Sequence, residues 1–520
     1  MSQLIPLTLL APALLLATAL HARVQTGRRQ SLSGWYSEYA ALAALLLSAI
    51  GLAQLLAFGP AQIALFDGAF ALVIRLDAIS AAMTILVAFV GWIVLRYSRT
   101  YLDGEPREGS FHGLMLATLA AVLFLAQSGS LPVLVIGFIG VGFGLRRLLL
   151  FYPERAAAHR AATKFAIVWH AGDLALILSS ALFISAYGTA DLRALVQAVK
   201  PELSLTQHLA IAFLVAAAVL KTATFPLHGW LTEVMEAPTP VSALLHAGII
   251  NAGGFLLIRT AELVQASPGS MGVLVAIGGL TALFGAVVML TQSAIKTALA
   301  WSTISQMGFM LLQCGLGLWP LALLHIVAHS LYKAHAFLSS GGAIAAVAGV
   351  RKPGPIAVPS LANVAKSFAI ALVLYGALSL VFALIAGPKS PQVLAIGAIL
   401  IFGVSYLVAQ GLADEAPSEL TYRTSVLATV VAFAYFVFQQ TSYMVWGSSL
   451  PAAPDPGTLE WALITLAVLS FGLVAFAQAL FPLWTYHPST AGLRVHVANG
   501  LYLNALLDRF VGGYQVTKFK

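Results

Sequence analysis

The chain has 520 residues, of which 60% are hydrophobic and only 9% are charged. Because soluble domains usually carry about 25% charged residues, this composition excludes an ordinary water-soluble protein and predicts an all-α polytopic membrane protein. The formal charge of +8 fits basic loops at one membrane face, which leaves nucleic-acid binding as a poor second interpretation.

Apolar segments of roughly 17–25 residues, long enough to cross a bilayer, recur along the whole sequence. We predict about fifteen transmembrane helices from their length and hydropathy. Their approximate ranges are 4–20, 37–58, 77–97, 111–127, 130–151, 164–187, 206–226, 239–264, 271–292, 297–318, 319–348, 364–387, 391–412, 423–446 and 458–482.

These helices divide into four predicted regions: 1–110 with N-terminal flanking helices, 111–264, 271–412, and 423–520 with the C-terminal helices and a tail. The two middle regions each hold five helices, and an odd number gives them opposite orientations in the membrane. Residues 387–391, Gly-Pro-Lys-Ser-Pro, interrupt the second of them. Proline-interrupted helices in two halves predict inverted repeats around a midplane site.

Basic residues in alternate loops predict the orientation. If the N-terminus lies outside, most basic residues fall inside, so the positive-inside rule places the C-terminus in the cytoplasm. These residues are Arg23, Arg28, Arg29, Arg96, Arg99, Arg107, Arg146, Arg147, Arg155, Arg160, Lys164, Arg351, Lys352, Lys518 and Lys520.

Asp173 and His170 fall inside a predicted span, where an aspartate needs a partner. Lys221 is the obvious candidate, since an opposite charge would keep it protonated and moving that charge would release the proton. A packed, neutral aspartate is the alternative.

Residues 221–255 combine ionisable groups and prolines in an apolar stretch. Charges in a membrane cost roughly 2.5–3.5 kcal/mol each on insertion scales, and prolines free backbone groups that need protein or water around them. We therefore predict a broken helix lining an ion path; for the two glutamates, a solvated role at the cytoplasmic mouth is an equal alternative. The ionisable residues are Lys221, His228, Glu233, Glu236 and His246, and the prolines are Pro226, Pro238 and Pro240.

Lys296 lies near the start of a later span. Alone it is compatible with a lysine that extends to the membrane surface. Ser302, Thr303 and Ser305 follow it and could support ordered water, which makes a relay role equally compatible.

His325, His329 and Lys333 have the spacing i, i+4, i+8, which places them on one helical face. The face is about 12 Å long at 1.5 Å per residue, and histidine titrates near neutral pH. Bridged by water, these groups predict a proton path along the membrane plane. A polar seam that holds helices together is the alternative.

The C-terminal residues 487–520 repeat apolar side chains at helical spacing, which predicts an amphipathic helix on a partner or on the membrane surface. The sequence has no GxxxxGK[ST], strand-linked GxGxxG or HExxH motif and only one cysteine, Cys314. We therefore predict ion transport without bond chemistry, and no cofactor or metal in this chain.

Residues 221–255, 281–310 (TALFGAVVMLTQSAIKTALAWSTISQMGFM) and 325–342 (HIVAHSLYKAHAFLSSGG) resemble the antiporter-like subunits of respiratory complex I and of Mrp sodium/proton antiporters. The resemblance covers roughly 75–345 and implies a proton path. By this resemblance, Lys221 is the lysine of the broken seventh core helix and Asp173 is the aspartate of the sixth helix. His246 is the histidine after the Pro-Thr-Pro turn, and Lys296 is the next relay lysine. The central track consists of His325, His329 and Lys333.

Three positions depart from that family's pattern. Ile139 stands where the family has a glutamate, His170 where an arginine is usual, and Ala294 where an aspartate often precedes the lysine. The usual acidic partner of Lys221 is therefore absent, and Asp173 or a partner subunit would have to replace it.

Residues 145–165 and 496–510 are similar to the membrane subunit, DabB, of the DAB inorganic-carbon accumulation complex. This resemblance implies a large cytoplasmic zinc partner, DabA, which resembles a β-carbonic anhydrase, and cation flow coupled to hydration of CO2 by that partner. It also implies the bacterial inner membrane. The alternatives are a pumping subunit of a complex I-like NADH dehydrogenase or hydrogenase, a stand-alone Mrp-type Na⁺/H⁺ antiporter, and a passive membrane anchor for a soluble enzyme.

Overall fold

The computed structural model describes residues 6–24, 32–66, 68–200, 202–342, 360–411, 418–480 and 487–511. The basic residues Arg28, Arg29, Arg351, Lys352, Lys518 and Lys520, and the side chains of Arg23 and Glu236, lie outside the described part. The α-helices are α1 (Leu10–Val24), α2 (Leu32–Phe58), α3 (Ala78–Tyr101), α4 (Glu108–Ala126), α5 (Leu131–Leu149), α6 (Ala156–Tyr187), α7 (Leu192–Ala198), α8 (Leu205–Leu220), α9 (Gly229–Glu233), α10 (Thr239–Ala247), α11 (Ala252–Arg259), α12 (Ala261–Gln265), α13 (Pro268–Met289), α14 (Ile295–Gly315), α15 (Trp319–Ser339), α16 (Leu361–Ala386), α17 (Pro391–Gly411), α18 (Ser418–Trp446), α19 (Thr458–Ala479), α20 (Ala491–Ala498) and α21 (Leu503–Val511).

The all-α membrane architecture is confirmed. Each predicted range overlaps a helix, and within the described residues eleven helical segments are long and apolar enough to cross a membrane. The number is lower than our fifteen partly because α1, α8 and α17 contribute apolar stretches of only 10–17 residues. At the other extreme, the 32 residues of α6 give a length of about 48 Å, which exceeds the roughly 30 Å hydrocarbon core.

A short β-hairpin, which we did not predict, joins α2 to α3. Strand β1 (Ala61–Ala64) pairs antiparallel with β2 (Val73–Leu76), with Ala61 opposite Leu76. Asp77 then begins α3 by a capping box with Ser80, so a side-chain oxygen satisfies an amide that the helix leaves free.

The second carboxylate oxygen of Asp77 binds the end of α11. Arg259, the last residue of α11, donates from Nη1 to Asp77 Oδ2 at 2.5 Å and from Nε to the Ser128 carbonyl at 2.7 Å. The guanidinium is almost fully buried, which is tolerated because it is paired and hydrogen-bonded. These bonds tie α3, α11 and the loop after α4 together at the membrane end opposite Lys164.

The predicted break at Lys221 is present. Helix α8 ends at Leu220, residues 221–228 have no α-helical structure, and α9 resumes at Gly229. A second interruption, the turn Ile249–Asn251, separates α10 from α11.

In the second half, residues 387–390 connect α16 to α17, which begins at Pro391, and the 26-residue α16 is continuous. The proline-rich motif therefore lies between two helices. The inverted-repeat relationship and the four-region division stay predictions.

Candidate ion-conduction site

Lys221 and Asp173 form a buried ion pair at the helix break. Lys221 follows the last residue of α8, and its Nζ lies 2.5 Å from Asp173 Oδ1 on α6 and 3.3 Å from the Trp169 carbonyl oxygen. The side chains are 0% and 7% exposed, respectively. Nζ also lies 4.2 Å from the Trp169 ring centre and 4.7 Å from that of Phe138, so aromatic faces supply further stabilisation of the cation.

The second carboxylate oxygen of Asp173 extends this pair. His170 Nδ1 lies 3.0 Å from Asp173 Oδ2, and the imidazole is half exposed at the surface of the bundle. Asp173 therefore bridges a fully buried amine and a half-exposed imidazole.

Ile139 lies on α5, at the position to which the resemblance assigns the family's glutamate. It is 42% exposed. Phe138, its neighbour, is the α5 residue that contacts Lys221. Of the two substitutes that the sequence left open, the geometry brings Asp173 to the lysine.

The central residues lie between α10, α14 and α15. His246 on α10 is fully buried, stacks on Phe337 at 4.3 Å between ring centres, and has Nδ1 3.0 Å from Thr303 Oγ1. Lys333, one helical turn before Phe337 on α15, is also fully buried. Its Nζ donates to the Leu299 carbonyl at 3.0 Å and to the Ser302 hydroxyl. The adjacent α14 residues Ser302 and Thr303 thus form hydrogen bonds with the Lys333 amine and the His246 imidazole, respectively.

His325 and His329 continue along α15, as their spacing predicted, with ring centres 6.0 Å apart. His325 Nδ1 lies 2.9 Å from Gln313 Oε1. Both histidines line a cavity of about 690 Å³ together with Ser302, Gln306 and Gln313. Most of the cavity lining is apolar, and these polar side chains form one part of its wall, where ordered water would find hydrogen-bond partners.

Lys296 is the second residue of α14 and donates to Thr239 Oγ1 at 3.0 Å, where α10 begins. None of the three hydroxyl residues that follow it, Ser302, Thr303 and Ser305, is its hydrogen-bond partner. Six or more residues of helix, about 9 Å at 1.5 Å per residue, separate them, and their hydroxyls bond to Lys333, His246 and the Ala282 carbonyl instead.

A buried cluster that we did not foresee lies at the end of the broken helix. Lys164 on α6 is fully buried and pairs with both Glu233 on α9 and Asp508 on α21. Asn504 accepts from Lys164 Nζ at 2.8 Å and donates to Glu233 Oε1 at 2.9 Å. The alternative of a simply solvated Glu233 is therefore wrong, because a lysine and an asparagine occupy it. We call Lys164, Glu233, Asn504 and Asp508 the Lys164 cluster.

Glu236 ends the turn Val234–Glu236 that follows α9, and its side chain lies outside the described part. Across the described ranges, no three His, Cys, Asp or Glu side chains converge as metal ligands.

Three imidazole nitrogens mark where this interior can take up further hydrogen bonds. The Nε2 atoms of His246, His325 and His329 are buried and have no hydrogen-bond partner among the described residues. Buried polar atoms are normally satisfied by protein or ordered water. Together with the amines of Lys221 and Lys333, these groups can relay protons when bridged by water.

Comparisons with known proteins agree with this geometry. The family model for the NADH:quinone oxidoreductase/Mrp antiporter transmembrane domain matches residues 128–387, and the model for the N-terminus of complex I chain 5 matches residues 65–112. The first match spans the Lys164 cluster except its C-terminal members, and all the candidate ionisable residues from Asp173 to Lys333.

Similar proteins include two inorganic carbon transporter subunits and one complex of known structure. The probable inorganic carbon transporter subunit DabB2 of Halothiobacillus neapolitanus is 36% identical over 97% of this chain and 93% of its own length. The probable inorganic carbon transporter subunit DabB of Hydrogenovibrio crunogenus is 42% identical, over 52% of this chain and 53% of that protein. The Mrp complex from Dietzia sp. shares the fold, with a TM-score of 0.58 at 23% identity over 99% of this chain and 58% of that one.

Proposed function

This chain belongs to the DabB family of antiporter-like membrane subunits, and on that premise we propose that it conducts protons for an inorganic-carbon uptake complex. It is a multi-pass membrane transport subunit. In our proposal, cation flow through the chain drives one-way hydration of CO2 in a large cytoplasmic partner of the DabA type, which traps bicarbonate in the cell.

The single observation that carries the proposal is the buried Lys221–Asp173 pair at a helix break. Burying a charged pair in the membrane interior costs free energy. Its presence there therefore supports a functional role. The carboxylate also contacts His170 at the bundle surface, so displacing Asp173 towards that ring would remove the counter-charge of Lys221 and release its proton.

The zinc and the hydration chemistry belong to the partner in this proposal. Zinc would lower the pKa of a bound water there, whereas this chain binds, orients and moves protons. Placing the chain in the bacterial inner membrane, with the N-terminus outside and the C-terminus in the cytoplasm, brings the Lys164 cluster and the C-terminal helices to the side where such a partner would bind.

The test is Lys221→Ala, with Lys200→Ala, an exposed lysine, as the matched control. We expect the first variant to assemble but to abolish bicarbonate uptake and growth in air, and the control to behave as wild type. Growth in air of a cell carrying only Lys221→Ala would refute the role of this lysine. Uptake that persists after a protonophore collapses the proton gradient would refute proton coupling and direct attention to Na⁺.

A second candidate is a pumping subunit of a complex I-like or Mrp-type machine, favoured by the family model that covers residues 128–387. Purification in mild detergent separates the two: a large zinc-binding protein supports the first, and iron–sulfur subunits support the second. A stand-alone antiporter would confer salt tolerance when expressed alone. A passive anchor would tolerate replacement of His325, His329 and Lys333 together by apolar residues.

A further inference from the structure

The C-terminal segment, residues 487–511, lies across the ends of several helices on the side of the Lys164 cluster. Gln292, just after α13, donates from Nε2 to the Ala498 carbonyl at 3.1 Å. At Gly500, whose φ is +57°, a β-carbon would lie 3.2 Å from the ring of Trp301 on α14. The segment therefore packs closely against the end of the bundle, beside the opening of the broken helix.

One face of α21 is polar and points into the bundle. Asn504 and Asp508 are four residues apart, so they share a helical face, and both contact Lys164. Gly229 at the start of α9 permits this approach, because a β-carbon there would overlap Asn504 Oδ1.

The opposite face of α21 is apolar, and none of the described residues buries it. Leu506 and Phe510 follow Asn504 and Asp508 by two residues, which places them about 200° away at 100° per residue. Their exposed fractions are 53% and 89%. Tyr502, just before the helix, is also exposed.

This polarity is the reverse of that of a helix lying on a bilayer. Such a helix turns its apolar face towards the membrane and its charged face towards water, whereas α21 turns its polar face towards the ends of the membrane helices. Exposed Arg509 stands beside Phe510, and exposed Arg146, Arg147 and Arg160 lie at the same end of the bundle. An apolar patch with Arg509 beside it, at a basic end of the bundle, fits a protein surface with an apolar centre and acidic edges.

We propose that the apolar face of α21, with Leu506 and Phe510 at its centre, is the docking surface for the soluble zinc subunit of the complex. The inference rests on the proposed function, because it assigns that partner to a place on this chain. The Lys164 cluster then joins the partner to the conduction site. Next to Lys164, Phe165 packs on Trp169 at 5.1 Å between ring centres, and Trp169 packs on the Lys221 amine.

The experiment compares tagged wild-type chain with the double variant Leu506→Asp/Phe510→Asp, both co-expressed with the zinc subunit and purified in mild detergent. Leu205→Asp, 75% exposed at the opposite membrane end, is the matched control. We expect the double variant to retain at least tenfold less zinc subunit, measured by mass spectrometry and bound zinc, and the control to retain the wild-type amount. Both variants should elute as monodisperse membrane protein.

Retention of the zinc subunit by the double variant at the wild-type level would overturn the docking surface while leaving the proposed function intact. Absence of any zinc subunit from the wild-type preparation would overturn the proposed function and this inference with it.

A gentler variant tests the competing occupant, the lipid surface. Leu506→Trp in the assembled complex, reconstituted in vesicles that contain brominated lipids, should give tryptophan emission at position 506 that bromine does not quench and that changes when the zinc subunit is stripped. Quenching by the brominated lipid in the assembled complex would assign the face to the bilayer and overturn the proposal.

Discussion

Asp173→Asn tests whether the carboxylate neutralises Lys221 in the folded protein. The substitution keeps the size of the side chain but removes its charge, leaving an amine that is 0% exposed without a counter-ion. Removing one member of a buried ion pair typically costs 3–5 kcal/mol, because the remaining charge is desolvated and unpaired. We expect the free energy of unfolding in detergent to fall by about that amount.

Replacing both members distinguishes the pair from ordinary packing. Since a neutral pair leaves no buried charge, Asp173→Asn combined with Lys221→Met should recover most of the lost stability. The coupling energy from the four proteins should be about 3 kcal/mol or more, because each single substitution leaves one buried charge unpaired and the double substitution leaves none.

Denaturant titration of the four proteins measures the energies, and proton flux into liposomes measures function. Glu154→Gln is the matched control, because Glu154 pairs with Arg107 at the exposed surface, where ion pairs contribute about 0–1 kcal/mol. A loss below about 0.5 kcal/mol for Asp173→Asn, or strictly additive effects in the double variant, would refute the buried-charge interpretation.

Asp77→Asn should destabilise the protein at neutral pH but not in acid. Burial alone would raise the pKa of Asp77, but the Arg259 charge and hydrogen bonds from Ser80 and Arg259 outweigh it and hold the pKa below its ordinary value. The stability from this carboxylate is therefore complete above about pH 4, the ordinary pKa, and is lost as the pH falls through the lower folded-state pKa. Asparagine still caps α3, so melting curves of both proteins across pH should converge in acid, and a constant difference would contradict the assignment. Gly229→Ala should push Asn504 off Lys164 and cost about 1–3 kcal/mol in lost hydrogen bonds, measured as faster proteolytic release of the C-terminal segment. Gly492→Ala, where an added β-carbon would meet no atom within 4 Å, is the control, and equal release rates would contradict the contact.

Hydropathy predicted the helices well because each predicted span has to satisfy its backbone internally in lipid. The break at Lys221 could be predicted equally well, because prolines follow this lysine in an apolar stretch. The β-hairpin was missed because its strands have only four residues each and lie beside much stronger helical signals. Nothing in the composition of 61–76 separates so short a hairpin from a loop.

The site was predictable where its members are close in sequence and less so elsewhere. His325 and His329 share a face by spacing alone, and Asp173 was paired with Lys221 by charge. Lys164 and Asp508 are 344 residues apart, a separation over which periodicity carries no information. The available signals were a lysine inside an apolar run and Asn504 and Asp508 at i, i+4. Likewise, the hydroxyls that follow Lys296 in the sequence bond to other groups, because sequence proximity does not show which way a helix faces.

Helix α6 carries Lys164 and Asp173 nine residues apart, a separation of about 13 Å along a stiff rod. Lys164 binds the C-terminal segment through Asp508, and Asp173 binds the Lys221 amine at the helix break. A tilt of α6 by about 5° around Lys164 shifts Asp173 by about 1 Å. Such a shift would lengthen the short hydrogen bond between Asp173 and Lys221 beyond hydrogen-bonding distance. A movement of the C-terminal segment that tilts α6 would therefore also change the Lys221–Asp173 distance.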